Sequence, residues 1–390
     1  MKIPYSKVDC SGNELKYIEQ VLKSGWLTTA SKAEEFESLF TDLIGVKYSF
    51  ALNSCTSALH LALEAIGIGP GDKVLVPSMT FTSSAEVVRY LGADPIFLDV
   101  AYETTLLTTK IVNDGIVNNK NVKALISVDF AGHPAPLLPT NSDEGILELC
   151  HRHGVKVISD SAHAFPSKIN ELYVGNIADI TCFSFYANKT ITTAEGGMLT
   201  TNDSKIAARV KLMRLHGIDR DIWKRFTSDA PMWEYDILEP GYKYNMPDLN
   251  AAVGLAQIER VEVMRARRQE IAEFYLESLS GLSSLDLPMI KVPNSSHAWH
   301  LFPVILNEHS SIKRDEIIEL LFKDGIGVSV HYKPLHRMSY YKNQYNLNLL
   351  DYPNTEKIWN GTFSLPLYSL LENHEAQYIV ERIKYHLLSK

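Results

Sequence analysis

Near the start of the chain, apolar residues recur at helical spacing. Leu15, Ile18, Val21 and Leu22 share one face before Gly25, and Phe36, Leu39, Phe40 and Leu43 repeat the pattern before Gly45, so two short amphipathic helices are predicted. From there to about residue 200 the rhythm changes. Short β-rich runs at 74–76, 95–99, 122–128, 155–159 and 180–185 alternate with helical stretches, as in a mostly parallel sheet covered by helices. The unit 146–160 is a clear case: ILELCHRH carries His and Arg in its last turn, stops at Gly154 and returns as the strand VKVIS. Asp160 is therefore expected at the carboxyl end of a strand, the edge where open α/β sheets bind ligands. The polar run 113–121 reads as an exposed loop. A long helical pattern over 248–279 reads as the connector into a second lobe.

A chain of 390 residues exceeds what one core comfortably fills, which fits a large domain over residues 1–255 and a smaller C-terminal α/β domain over 256–390. Hydrophobic residues at 45% and charged residues at 22% are ordinary globular usage. The net charge of -8 and the lack of a basic stripe argue against nucleic acid as a partner. No apolar run reaches the ~20 residues of a membrane span, and the first residues lack a signal-peptide pattern, so a cytoplasmic protein is expected. Cys10, Cys55, Cys150 and Cys182 are widely spaced, which suggests reduced thiols and no metal site.

The segment FSFYANKTITTAEGG places Lys189 just beyond a buried strand and ahead of a glycine-containing turn. Desolvation at such a place makes an amine nucleophilic towards an aldehyde. Asp160, at another strand end, suits the carboxylate that keeps the pyridine nitrogen of pyridoxal 5'-phosphate (PLP) protonated. His163, three residues later, could reach the ring oxygen. The turn NSCTS runs into the apolar helix ALHLAL, and its Thr56 and Ser57, with Ser184 from the strand before the lysine, could hold a phosphate at a helix N-terminus. Phe81, beyond the strand KVLV, could stack on the ring. Each residue also has a plainer reading: Lys189 as a solvated loop lysine, Asp160 as a cap, His163 as a packed imidazole, Thr56 and Ser57 as N-caps, Phe81 as core.

Taken together, SGWLT, ALNSCTSALHLAL, GPGDKVLVPSMTFTSSAE, DSAHA, FSFYANKTITTAEGGM, RLHG, GYKYNMPDLNAAVGLAQ, HYKPLH and FSLPLY resemble, in order and nearly end to end, the DegT-type nucleotide-sugar aminotransferases. The likeness is strongest to the branch that aminates the 4-keto position of UDP-sugars. It implies the aspartate-aminotransferase-like PLP fold, known as fold type I, and transfer of an amino group from glutamate to a nucleotide-linked keto-sugar. It further implies Lys189 as the Schiff-base lysine, Asp160 as the pyridine-nitrogen partner, His163 beside the ring oxygen and Phe81 as the stacking residue. Thr56, Ser57 and Ser184 become phosphate ligands, with Cys55 in the same turn. The likeness also implies a homodimer in which Lys243 or Asn245 of GYKYN completes the partner subunit's phosphate site, and substrate contacts from His331, Tyr332, His216 and Thr29. Three positions depart from the usual pattern: Cys55 stands for a glycine, Thr29-Ala30 for Gly-Pro, and His163 for a glutamine. A related keto-sugar dehydratase carries histidine in place of the lysine, so Lys189 argues against it. A non-catalytic PLP or sugar-nucleotide sensor of the same fold is the other alternative.

Overall fold

The computed structural model describes residues 1–140, 143–219 and 235–388. In chain order the elements begin with α1 (Glu14–Ser24), α2 (Ser31–Ile44), β1 (Tyr48–Leu52), α3 (Cys55–Ala65), β2 (Lys73–Pro77), α4 (Ser83–Tyr90), β3 (Asp94–Leu98) and α5 (Thr109–Val117). They continue through β4 (Val122–Val128), α6 (Ile146–Arg152), β5 (Lys156–Asp160), the short β6 (Lys168–Ile169) and β7 (Leu172–Tyr173), β8 (Ile180–Ser184), β9 (Gly197–Thr201) and α7 (Ser204–Met213). Seven strands form one sheet in the order β1-β9-β8-β5-β4-β2-β3. Only β9 runs against the others: it pairs antiparallel with both β1 and β8, while the remaining pairings are parallel.

Successive side chains on a strand point to opposite faces, and here both faces are covered. Val76, Ile126 and Ile158 pack under α3 and α7 with Leu59 and Val210. Leu75, Leu125 and Val157 face the other way, into a cluster with Val112 of α5 and Ile146 and Leu149 of α6. Each such buried aliphatic residue contributes about 1.5–3 kcal/mol.

Two local expectations change. The pattern over 248–279 forms two helices, Asp248–Ile258 and Val261–Leu279, separated at Glu259 and Arg260. Arg260 has left the helical region and its guanidinium pairs with Asp9 (2.9 and 3.1 Å). The polar run 113–121 is not all loop, because α5 continues to Val117 and buries Gly115 and Ile116.

The C-terminal part contains a three-stranded sheet of β10 (Leu285–Asp286), β12 (Phe302–Leu306) and β13 (Thr362–Leu365). β11 (Ser295–Ser296) instead pairs with β6. The helix Val261–Leu279 buries Ile271, Tyr275 and Leu279 against Phe302, Val304 and Phe363, and Ile3 from the chain start joins this core through a bridge to Ile326.

Candidate active site

The carboxyl ends of β1, β2, β4, β5 and β8 lie at one edge of the sheet, and each delivers a residue to it. α3 begins directly after β1, with Ser54 as its cap accepting the Ser57 N–H (3.0 Å). The start of β9 crosses this turn so closely that a Cβ on Gly197 would stand 2.5 Å from the Ser54 carbonyl and 2.6 Å from the Cys55 nitrogen, so only glycine fits.

Asp160 ends β5 and is 4% exposed. Ser84 Oγ, on α4, donates to its Oδ2 (2.7 Å) and is itself paired with Thr80 Oγ1 (2.9 Å). The Ala162 N–H donates to Oδ1 (3.2 Å), and Cys55 Sγ lies 4.0 Å from the same oxygen. Burial raises the pKa of this carboxyl, while Ser84, Ala162 and the charge of Lys189 pull it back down. Lys189 leaves the loop after β8. Its side chain keeps some area open to the cleft, yet protein packs closely enough around the amine that burial lowers its pKa to about 8, opposed by Cys55 and Asp160. Lysine and aspartate thus sit within electrostatic reach on one sheet edge.

A histidine-rich wall closes one side. His163 accepts the Ala131 N–H at Nδ1 (3.3 Å), and its Nε2 lies 3.0 Å from the Tyr332 hydroxyl. Its ring packs 4.5 Å from that of His300. The turn carrying Ala131 can approach because Gly132 has a φ of 101° and a Cβ there would meet the His163 carbonyl at 2.9 Å. His331 Nδ1 is 2.9 Å from Ser364 Oγ, and its ring stacks on Tyr5 at 5.6 Å. Burial, reinforced by the charge of Lys189, drives His163 and His300 well below the usual imidazole range and His331 to about 4, so all three are neutral. Phe81 stands 54% exposed at the cleft mouth, its ring 5.8 Å from that of Tyr332.

Behind Asp160 lies a second buried carboxylate. Asp129 follows β4 and accepts from Ser161 Oγ (2.5 Å), the Ala135 N–H (2.8 Å) and Ser159 Oγ (3.0 Å); burial raises its pKa to about 6.

Thr56 lies in the first turn of α3 with no side-chain partner among the described residues, whereas the Ser57 hydroxyl binds Asn53 Oδ1 and Ser54 Oγ. Ser184 Oγ accepts the Tyr186 N–H (3.3 Å), which leaves its own proton to give. The GYKYN segment is stitched to this turn of its own chain: the Asn53 N–H donates to the Tyr244 carbonyl (2.8 Å) and Asn53 Nδ2 to the Lys243 carbonyl (3.3 Å). Lys243 Nζ donates to Asn245 Oδ1, Asn245 Nδ2 donates to Thr29 Oγ1, and Thr29 Oγ1 donates to the Met246 carbonyl (2.6 Å). His216 is exposed, its N–H bonded to the Tyr242 carbonyl (2.8 Å). Lys189, Asp160, Cys55, His163, Tyr332, His331 and Phe81 therefore converge, with Thr56, Ser57 and Ser184 nearby. Among the described residues Lys243, Asn245, Thr29 and His216 form a neighbouring group without a contact to Lys189 or Asp160.

Sequence reading did not single out Ser84, Thr80, Asp129, His300, Tyr5, Ser364 or Asp248. The Asp248 carboxylate accepts the N–H groups of Ala30 (2.7 Å) and Ala33 (3.0 Å) and so caps α2 from a distant helix. No local signal marks any of these residues. Among the described residues no group of three or more His, Cys, Asp or Glu could hold a metal ion, and no helix is long and apolar enough to cross a membrane.

Known structures share this fold along the whole chain. The putative sugar aminotransferase Spr1654 of Streptococcus pneumoniae in its PMP form is 31% identical, with a TM-score of 0.90 and 100% of both chains covered, and the same protein has been solved in a PLP form. PseC of Helicobacter pylori, an aminotransferase involved in the biosynthesis of pseudoaminic acid, is 26% identical with a TM-score of 0.91, again covering 100% of both chains. The fold is that of a PLP-dependent aminotransferase of fold type I. The spore coat polysaccharide biosynthesis protein SpsC of Bacillus subtilis is 37% identical over 384 residues, 98% of this chain and 96% of SpsC. The family model for the DegT/DnrJ/EryC1/StrS aminotransferases matches residues 9–384, and the chain belongs to that family. Its cofactor is PLP, and its family acts on sugars.

Proposed function

We propose that the protein transfers an amino group from glutamate to the 4-keto position of a nucleotide-linked sugar, in the cytoplasm, as a step towards a surface polysaccharide or related glycan. One observation carries the reading: Lys189, its amine brought to about 8, stands beside the buried carboxylate of Asp160 at the ligand edge. The polysaccharide role given in the name of SpsC and the pseudoaminic acid role of PseC support a sugar destined for a glycan.

The residues present fit PLP. Lys189 would meet its aldehyde, Asp160 its ring nitrogen, Phe81 its face, and the N-terminus of α3 with Thr56, Ser57 and Ser184 its phosphate. When bound, the cofactor supplies an electron-withdrawing ring that takes up the negative charge developed as a C–H bond breaks. Asp160 would keep a proton on the ring nitrogen, with Ser84 fixing the orientation of the carboxylate. Lys189 Nζ would take the α-proton of glutamate and return a proton at the sugar carbon. With a pKa of about 8, about one Lys189 in ten is neutral at pH 7, against about one in three thousand for an ordinary lysine. The buried histidine wall excludes water, and His331 and Tyr332 line the side from which substrate enters.

The active unit in this reading is a homodimer in which Lys243 or Asn245 reaches the phosphate held by the partner subunit, while Thr29 and His216 contact the nucleotide-sugar. The test is to incubate the protein, PLP and glutamate with a panel of nucleotide-linked 3-keto and 4-keto sugars and to identify products by mass and NMR. A 4-amino sugar is expected. Amination at C-3 only, or no product from any nucleotide-linked sugar, overturns the substrate assignment.

A further inference from the structure

His163 has one proton to give, and the structure shows where it goes. Its Nδ1 accepts the Ala131 N–H, so the neutral imidazole carries its hydrogen on Nε2, and Nε2 faces the Tyr332 hydroxyl at 3.0 Å. Nε2–H therefore donates to the tyrosine oxygen. That leaves the Tyr332 O–H proton unspent, since the hydroxyl has no other partner among the described residues. Turning His163 elsewhere would break the Ala131 bond and disturb a ring held between His300 and Phe130.

Tyr332 is clamped as well. Its ring meets Phe81 at 5.8 Å and Phe130 edge-on at 6.4 Å, and its N–H points to Met79 Sδ at 3.5 Å. On PLP the ring nitrogen and the aldehyde-bearing carbon are opposite one another, and the ring oxygen and the phosphate arm flank that carbon on opposite sides. With the nitrogen at Asp160, the aldehyde at Lys189 and the phosphate at α3, the ring oxygen would face the wall of His163 and Tyr332.

We propose that the Tyr332 hydroxyl, rather than His163, donates the hydrogen bond to the ring oxygen of bound PLP, and that His163 is a positioning residue that orients this hydroxyl. The proposal rests on the placement of the cofactor between Lys189 and Asp160. Burial raises the Tyr332 hydroxyl far above its ordinary pKa, which keeps it a donor, and the ionisable groups around it are Tyr5, Asp160, the neutral His163 and the neutral His331.

The test reads the cofactor spectrum. The visible band of PLP joined to a lysine changes when the linking nitrogen loses its proton, and the negatively charged ring oxygen holds that proton in place. A donor on the oxygen competes for this charge, so removing the donor moves the transition to higher pH. For a charge-assisted hydrogen bond the shift is about one to two pH units. Holoenzyme, Tyr332→Phe and His163→Asn are titrated by absorbance, with their PLP affinity and melting temperature measured alongside; asparagine can still accept the Ala131 N–H. The expected result is a rise of that size in Tyr332→Phe and a smaller rise in His163→Asn. An unmoved midpoint in Tyr332→Phe, or a shift in His163→Asn as large as that of Tyr332→Phe, overturns the proposal. Borohydride reduction and peptide mapping are done on the same samples. Label on a lysine other than Lys189 would show that the cofactor placement has failed, and the proposal with it.

Discussion

Replacing Asp160 by asparagine removes one charge and almost no volume, which separates the electronic role of this residue from its structural one. The carboxylate is committed on two sides, to Ser84 Oγ at Oδ2 (2.7 Å) and to the Ala162 N–H at Oδ1 (3.2 Å). An asparagine Oδ1 can still accept from Ala162, and Ser84 can turn to accept from the new amide because its hydroxyl also has Thr80 as a partner (2.9 Å). The amide then offers an N–H to an unprotonated ring nitrogen, so one hydrogen bond to the cofactor survives. What disappears is a buried ion pair, and loss of one partner of such a pair costs about 3–5 kcal/mol. Most of that cost falls on the step in which the ring takes up negative charge. Turnover should therefore fall by about 10²–10³-fold, while PLP affinity, sustained by Lys189 and the phosphate turn, weakens by no more than about fivefold. Single-turnover absorbance with glutamate gives the first quantity and fluorescence quenching by PLP the second. Ser84→Ala should give a weaker copy of the effect, a loss of about five- to thirtyfold. If Asp160→Asn keeps its rate to within about threefold, or if rate and affinity fall in equal measure, Asp160 is a cap of the DSAHA turn and the argument is wrong.

In the cofactor-free protein Lys189→Met should be the more stable form at pH 7, by up to about 3 kcal/mol, since the folded pKa of about 8 lies below the ordinary 10.5. That cost is fully present below pH 8 and vanishes as the pH rises to the unfolded value, so the gap in urea midpoint should close by pH 10.5; a constant gap refutes the assignment. Acid should destabilise the cofactor-free protein steeply below pH 6.5. His133, His163, His297, His300 and His331 are held neutral by burial and take up protons on unfolding, partly offset by the carboxyl of Asp129, raised to about 6, which releases its proton. The histidine uptake outweighs this release, so urea midpoints should fall from pH 7 to 5, and midpoints that stay level contradict it. Mixing inactive Lys189→Ala with a Lys243→Ala, Asn245→Ala double variant should restore activity as subunits exchange, up to one intact site per hybrid dimer. Proven exchange without recovery places GYKYN in the site of its own chain, where Asn53 already touches it.

The residues proposed for the chemistry were legible because they occupy strand ends, where a local pattern and a chemical need coincide. The helix ILELCHRH and the strand that follows it formed as α6 and β5, and Asp160 fell at the strand terminus as the spacing required. The unread parts depend on distant chain. β1 and β9 carry no clear strand signal, because YSFAL runs straight into the NSCTS turn and GMLTT opens on the second of two glycines, and they become sheet by pairing antiparallel with each other and, for β9, with β8. The break after Ile258 is set by the pairing of Arg260 with Asp9, and the helicity of 113–117 by the fit of Gly115 against Leu98 and Leu75.

The same distinction runs through the site. Serine and aspartate are common in loops as caps, so nothing within the sequence around Ser84 ties it to a carboxylate 76 positions away, nor Tyr332 to an imidazole 169 positions away. A motif can name the atoms that meet a cofactor, but their protonation is decided by what packs behind them. Asp160 is held by Ser84, His163 by the Ala131 backbone, and His331 by Ser364, and in each case the partner comes from another element. The consequence is that substitutions at Ser84, Ser364 and Gly132 should perturb the cofactor spectrum and its pH dependence while leaving every motif residue in place.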